Sequence, residues 1–174
     1  LMLGDDMRGD LSSEGDIARI MARSGEITGS VRAAGTVGSI MALHLKGAVV
    51  SAGKVVGMVS LGGDILDSYI LSGYDVGLDG EFGLQETGGG DLPGVGNVGR
   101  VMARGEFARS YIGASYLPDT ALTADSLPDD SFPVSGGSGS VGMLRFGSIN
   151  FTEADEVFGI YGSQVKPFRI GRDT

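Results

Sequence analysis

The sequence predicts an all-β fold, a parallel β-helix (β-solenoid) of about five coils with two acidic loop insertions, and three observations predict it. Glycine makes up 32 of 174 residues and has no three-residue period, which excludes collagen. An eight-residue block opening on Gly recurs five times with two of its columns apolar in every copy. The apolar runs are short, rich in Ile and Val, and punctuated by Gly, as strands joined at tight corners require.

The block Gly15-Asp16-Ile17-Ala18-Arg19-Ile20-Met21-Ala22 aligns without gaps on the segments beginning at Gly35 and Gly53, and again on those beginning at Gly96 and Gly139. Its third column reads Ile17, Val37, Val55, Val98, Val141, and its sixth Ile20, Ile40, Met58, Val101, Leu144. A second half-repeat has the form Gly, acid, apolar, two residues, Ser, apolar, and begins at Gly25, Gly63 and Gly105. Together the halves make a unit of about twenty residues, the length of one solenoid coil. A helix fits poorly, because each interior Gly costs roughly 1 kcal/mol relative to Ala and the β-branched columns favour strands. Stacking at about 4.8 Å per coil turns those columns into continuous interior ladders.

Residues 1–174 read as a single solenoid domain with insertions at 73–95 and 116–138. The first insertion holds five acids and the second four, with no Lys or Arg in either, which equals the whole net charge of -9. The repeat framework is therefore electrically balanced. Insertions of this kind in repeat folds map to one face and are often where binding occurs. The chain opens on Leu1, so it reads as a mature product or an excised piece of a larger chain.

Composition removes several function classes. A net charge of -9 argues against nucleic acid as a partner, since phosphate binding needs a basic face. The absence of Cys excludes disulfide scaffolds, Cys-ligated zinc and thiol catalysis. One histidine excludes a two-His metal site, and no apolar run reaches the length of a membrane span. His44, flanked by Leu43 and Leu45 without a neighbouring acid in sequence, reads as filler rather than as a catalytic base. No Gly-x-Ser-x-Gly elbow stands between a strand and a helix, and Ser138-Gly139-Ser140 reads as a corner.

The segment Asp75-Val76-Gly77-Leu78-Asp79-Gly80-Glu81 is the best chemical candidate. Calcium takes six to eight oxygens, and Asp75, Asp79, Glu81 and Glu86 could supply them around a glycine turn, with Glu86 at the twelfth position as in an EF-hand loop. Gly77 occupies a ligand position with only a carbonyl to offer, and no flanking helices are predicted, so a solvated acidic turn is the competing reading. No cofactor is required, and Ca2+ is the one candidate ion. Asp119, Asp125, Asp129 and Asp130 lie among Pro118, Pro128 and Pro133, which favours a stiffened surface excursion. Met21, Met41 and Met102 recur at one repeat position, as do Tyr69 and Tyr111, and stacking in successive coils explains both sets. A carbohydrate-binding aromatic platform is the sharper reading of the tyrosines.

The run from Gly63 to Gly83, the Gly96-Asn97-Val98-Gly99-Arg100-Val101 coil and the closing Phe168-Arg169-Ile170-Gly171 resemble large glycine-rich repeat proteins of the surface of planctomycete-type bacteria. The resemblance implies a secreted or cell-surface β-helix with acidic Asp-x-Gly-x-Asp-Gly loops, without an enzymatic activity. The second insertion departs from that pattern, since it lacks the Asp-Gly pair.

The function expected is a non-catalytic structural or adhesive scaffold, extracellular or at the cell surface, that assembles with itself or with adjoining domains. A polymer-forming β-helix filament is one alternative, and a polysaccharide-binding or polysaccharide-degrading β-helix is the other. An enzyme needs clustered carboxylates on one face, whereas the outward positions expected here carry Arg19, Arg32, Arg100 and Arg109. Leu1 to Glu14 offers only Met2, Leu3, Met7 and Leu11 as a cap, and the aromatic segment from Phe146 to Ile170 could close the other end or dock on a neighbour.

Overall fold

The structure is a computed structural model and describes residues 1–75, 92–118, 131–133, 138–150 and 159–171. Among these residues every regular element is a β-strand, and the strands of successive repeats lie side by side in parallel. One sheet contains Ile17–Ile27, Thr36–Lys46, Val55–Leu61, Asn97–Ala103 and Ser140–Phe146, with short companions at Ile65–Leu66, Glu106–Ala108 and Ser148–Asn150. The second sheet runs in strict chain order through Leu11–Ser13, Ser30–Ala33, Val49–Ala52, Tyr69–Ser72, Tyr111–Ala114 and Gly159–Tyr161. Each repeat thus contributes a strand to both sheets.

Parallel pairing sets equivalent residues of neighbouring repeats beside one another, and the core is built from these columns. In the first sheet one column is Ile17, Val37, Val56, Val98, Val141, and another is Ile20, Ile40, Val59, Val101, Leu144. A third joins Met7, Ile27, Leu45, Ile65, Phe107 and Ile149. The second sheet adds Leu11, Val31, Val50, Ile70, Ile112 and Ile160. Central members of each column are fully buried and belong to one cluster. Each such side chain contributes roughly 1.5–3 kcal/mol on removal from water.

Two column members differ from the sequence expectation. Val55 and Met58 are partly exposed and point outward, while Val56 and Val59 take the interior places. The physical reason is a one-residue slip: Gly53 invites alignment on Gly35, but the Lys54 N–H donates to the Gly35 carbonyl and Val55 stands beside Thr36. Because side chains alternate with a period of two, a slip of one residue exchanges the whole inner set for the outer set. The correct anchor is the second glycine. Gly38, Gly57, Gly99 and Gly142 stack, and a Cβ on Gly57 or Gly99 would strike the carbonyl oxygen of the glycine one repeat earlier. Beside this glycine column the strict alternation of the strand breaks, and Val37 and Ile40 are both buried at a spacing of three.

The second half-repeat marks inter-repeat caps at the corners, where strands end and backbone N–H groups would otherwise lack partners. The Asp64 carboxylate accepts the Glu106 N–H at 2.7 Å, and Asp6 accepts that of Glu26 at 3.0 Å. Ser110 Oγ accepts the Ser68 N–H at 3.0 Å and Ser68 Oγ accepts the Ala48 N–H at 3.1 Å. Ser30 is not equivalent to Ser68, contrary to the aligned motif: it stands beside Val49 in the Tyr69 column, and its N–H and hydroxyl both donate to Asp10.

Candidate functional site

Both insertions leave the framework from adjacent points. Ser72 and Ala114 are register partners, and the next residues, Gly73 and Ser115, are both left-handed, with φ of 74° and 60°. The first insertion departs and returns as an antiparallel ribbon of Tyr74–Asp75 and Leu92–Pro93, the second as Tyr116–Pro118 and Ser131–Pro133. Of the calcium candidates, Asp75 lies in the first ribbon beside Leu92, while Asp79, Glu81 and Glu86 lie outside the described residues. Asp119, Asp125, Asp129 and Asp130 also lie outside them. Among the described residues no group of three or more His, Asp or Glu is placed to hold a metal ion.

His44 has acidic neighbours that sequence proximity hides. It stands beside Glu26 in the preceding repeat, accepts the Asp64 N–H on Nδ1 at 2.9 Å, and has Asp64 Oδ2 at 3.2 Å. With Asp6 and Glu106 these residues line one corner at equivalent positions of successive repeats. His44 thus does the capping that Asp64 does one repeat later. The signal that could have found it was the second half-repeat itself, read through Leu43-His44-Leu45, with His where the other copies have an acid.

Tyr69 and Tyr111 are register partners with ring centroids 6.5 Å apart. The ladder then continues by a substitution of position: Tyr111 is paired with Gly159, and the ring of Tyr161 folds back over that glycine to stack on Tyr111 at 5.1 Å. Tyr111 is 1% exposed, so its ring has no open face for a sugar. Burial also raises the Tyr69 hydroxyl above its ordinary range, with the Asp67 charge adding to it.

The outward arginines divide. Arg19 and Arg100 are exposed as expected. Arg32 instead is 6% exposed and meets the Glu14 carboxylate at 3.2 Å. Arg109 is held by Asp67, whose carboxyl the guanidinium keeps below the usual carboxylate range.

The first end of the sheets is acidic, and the described residues at the other end are basic. Residues 1–16 hold five acids and one Arg, whereas residues 159–171 hold Lys166 and Arg169 and no acid, with Glu153, Asp155 and Glu156 just before them in the chain and Asp173 just after. At the first end Met2 and Met7 bridge to Met21 and Ile27, and Leu11–Ser13 is the outermost strand of the second sheet. Leu3, Met7 and Leu11 pack on the core, whereas Met2 is 78% exposed. At the other end Gly159–Tyr161 pairs with Tyr111–Ala114, while Gln164–Val165 and Arg169–Ile170 pair with Ser140–Phe146. This aromatic segment adds edge strands to the sheets, and Val165, Phe168 and Ile170 remain 41–54% exposed.

No protein-family model matches the chain, and comparison with curated proteins and with solved structures gives no match. No helix among the described residues is long and apolar enough to cross a membrane.

Proposed function

We propose that this chain is a parallel β-helix that serves as a non-catalytic structural or adhesive scaffold, extracellular or at the cell surface, assembling end to end with copies of itself or with adjoining domains. The observation that carries the reading is the pair of outermost parallel strands, Leu11–Ser13 and Gly159–Tyr161, at opposite ends of one sheet. An outermost strand offers a row of backbone donors and acceptors on which another chain can pair. The described residues of the two ends are complementary in charge, acidic at 1–16 and basic at 159–171, and the same interior column shows Leu11 at one end and Ile160 at the other. Head-to-tail stacking continues that column from Ile160 of one copy to Leu11 of the next. Such a heterologous contact does not close on itself and propagates into a filament.

Sedimentation velocity over a concentration series tests this. The expected result is a mass that grows with protein concentration and recedes when Lys166 and Arg169, both exposed, are changed to Glu. A single-chain mass at every concentration, or growth unaffected by the charge reversal, overturns it.

A further inference from the structure

The outward face of the first sheet has a composition unlike the rest of this acidic chain. One outward column reads Arg19, Ser39, Met58, Arg100, Met143 from repeat to repeat. The next reads Met21, Met41, Ser60, Met102, Arg145, with Met2 at one end and Arg169 at the other. Every methionine of the protein except Met7 stands in these two columns, and neither contains an acid. Arg19 and Arg100 are exposed, and neither forms an ion pair among the described residues.

The sheet surface is also hollowed. A groove of about 620 Å³ lies at the strand ends of its later repeats, lined by Ser60, Met102, Arg104, Arg145, Gly147 and Gly171 among others. Methionine is the apolar residue that adapts to irregular partners, and Met and Arg are among the residues enriched where proteins meet. Stacked methionines alone would need no partner. Arg19 and Arg100, exposed beside them on an otherwise acidic protein, add charge whose electrostatic gain is largest when an anion is brought to that face.

We propose that this face is a docking surface for an extended acidic segment of another protein, one whose apolar side chains alternate with its acids. Alternation is the point: a segment lying edge-on between the two columns turns its acids toward Arg19 and Arg100 in one and its apolar side chains toward Met21, Met41 and Met102 in the other. Five strands about 4.8 Å apart are spanned by an extended segment of about seven residues, so one of about eight covers them. A flat polyanionic surface is a poorer fit. The corner beside this face carries Glu26, Asp64 and Glu106, which an anionic membrane would press against and a single narrow strand would clear.

Fluorescence anisotropy with a labelled Asp-Leu alternating peptide of about eight residues tests the proposal. It is run at a protein concentration where sedimentation shows single chains, so failure of end-to-end assembly leaves the result readable. Binding is expected to weaken with salt, and to fall roughly tenfold or more for the Asn-Leu and Asp-Ser peptides and for the Arg19→Glu/Arg100→Glu protein. Arg100→Lys should retain most of it, and circular dichroism of each variant should match the parent. Equal affinity for the Asn-Leu peptide, or no effect of the double charge reversal in a folded variant, overturns the proposal. Tighter binding to phosphatidylserine vesicles or to duplex DNA than to the peptide overturns it in favour of those surfaces. Self-association abolished by Arg19→Glu/Arg100→Glu would assign the face to a second copy instead.

Discussion

Arg109 holds Asp67 by two hydrogen bonds, Nε to Oδ1 at 2.6 Å and Nη2 to Oδ2 at 2.9 Å, from equivalent corner positions of successive repeats. Both backbones are left-handed, with φ of 51° at Asp67 and 45° at Arg109, and the position one repeat earlier is Gly47 at 58°. The corner asks for glycine and receives an ion pair in two of its three copies. The pair is 38% and 45% exposed and is worth at most about 1 kcal/mol, whereas a left-handed non-Gly residue costs about 1–3 kcal/mol. Asp67→Gly is therefore expected to melt at or above the parent temperature, and Asp67→Val clearly below it. A melting temperature for Asp67→Gly several degrees below the parent would mean that the ion pair outweighs the backbone.

The interior register is open to a paired test. Val56→Asp places an unpaired charge in a fully buried column and is expected to abolish cooperative folding, since several kcal/mol exceeds much of a small domain's stability. Val55→Asp, one residue away and pointing outward, should fold with a nearly unchanged urea midpoint. The reverse order of stabilities would contradict the slip in the third repeat.

Gly57→Ala and Gly99→Ala each direct a Cβ at the carbonyl oxygen of the stacked glycine, so each should lower stability by about 1–3 kcal/mol as for overpacked sites. Gly4→Ala has open space and serves as the comparison, with no change expected in a urea titration.

Ser72 Oγ is buried without a hydrogen-bond partner among the described residues, in a column whose other members include Ala33, Ala52 and Ala114. Replacing it by Ala removes an unsatisfied group, and Ser72→Ala should be as stable as the parent or up to about 1–3 kcal/mol more so. A loss of stability on chemical denaturation would show that the hydroxyl has a role.

Acid should weaken the fold through its caps. Asp67 is held below the ordinary range by Arg109, Asp10 by the Ser30 hydroxyl and then its N–H, and Asp6 by the Glu26 N–H and then Arg8. Their folded values lie below the unfolded value of about 3.9, so their stabilisation is complete above it and is lost as pH falls through the folded values. The melting temperature is expected to be level from about pH 7 to 5 and to fall below about pH 4. A melting temperature that stays level to pH 2 would contradict the role of these carboxylates.

Most of the strand content was legible, because Ile, Val and Gly recur at intervals that only stacked short strands satisfy. What failed was register in the third repeat, where Gly53 and Gly57 both offered an anchor and Lys54 hid the true one. The corner chemistry was half legible. The acid of the second half-repeat is visible at Asp64 and Glu106, but His44 in the same role carries no acidic signature, and its partners arrive from other repeats. The burial of Arg32 is hidden for a similar reason, since Glu14 reaches it from the end of the neighbouring strand, one repeat away in sequence. The methionine column is visible in the sequence at Met21, Met41 and Met102, yet the column beside it, with Arg19, Met58, Arg100 and Met143, emerges only when the outward residues of all repeats are set side by side.

End-to-end assembly is tested most directly by electron microscopy of the purified chain across a concentration series, with diffraction from aligned material. Continuation of the columns from copy to copy predicts unbranched rods whose strands repeat at about 4.8 Å along the rod axis. Isolated particles of single-chain size at every concentration, or a spacing of that size running across the rod rather than along it, would contradict it.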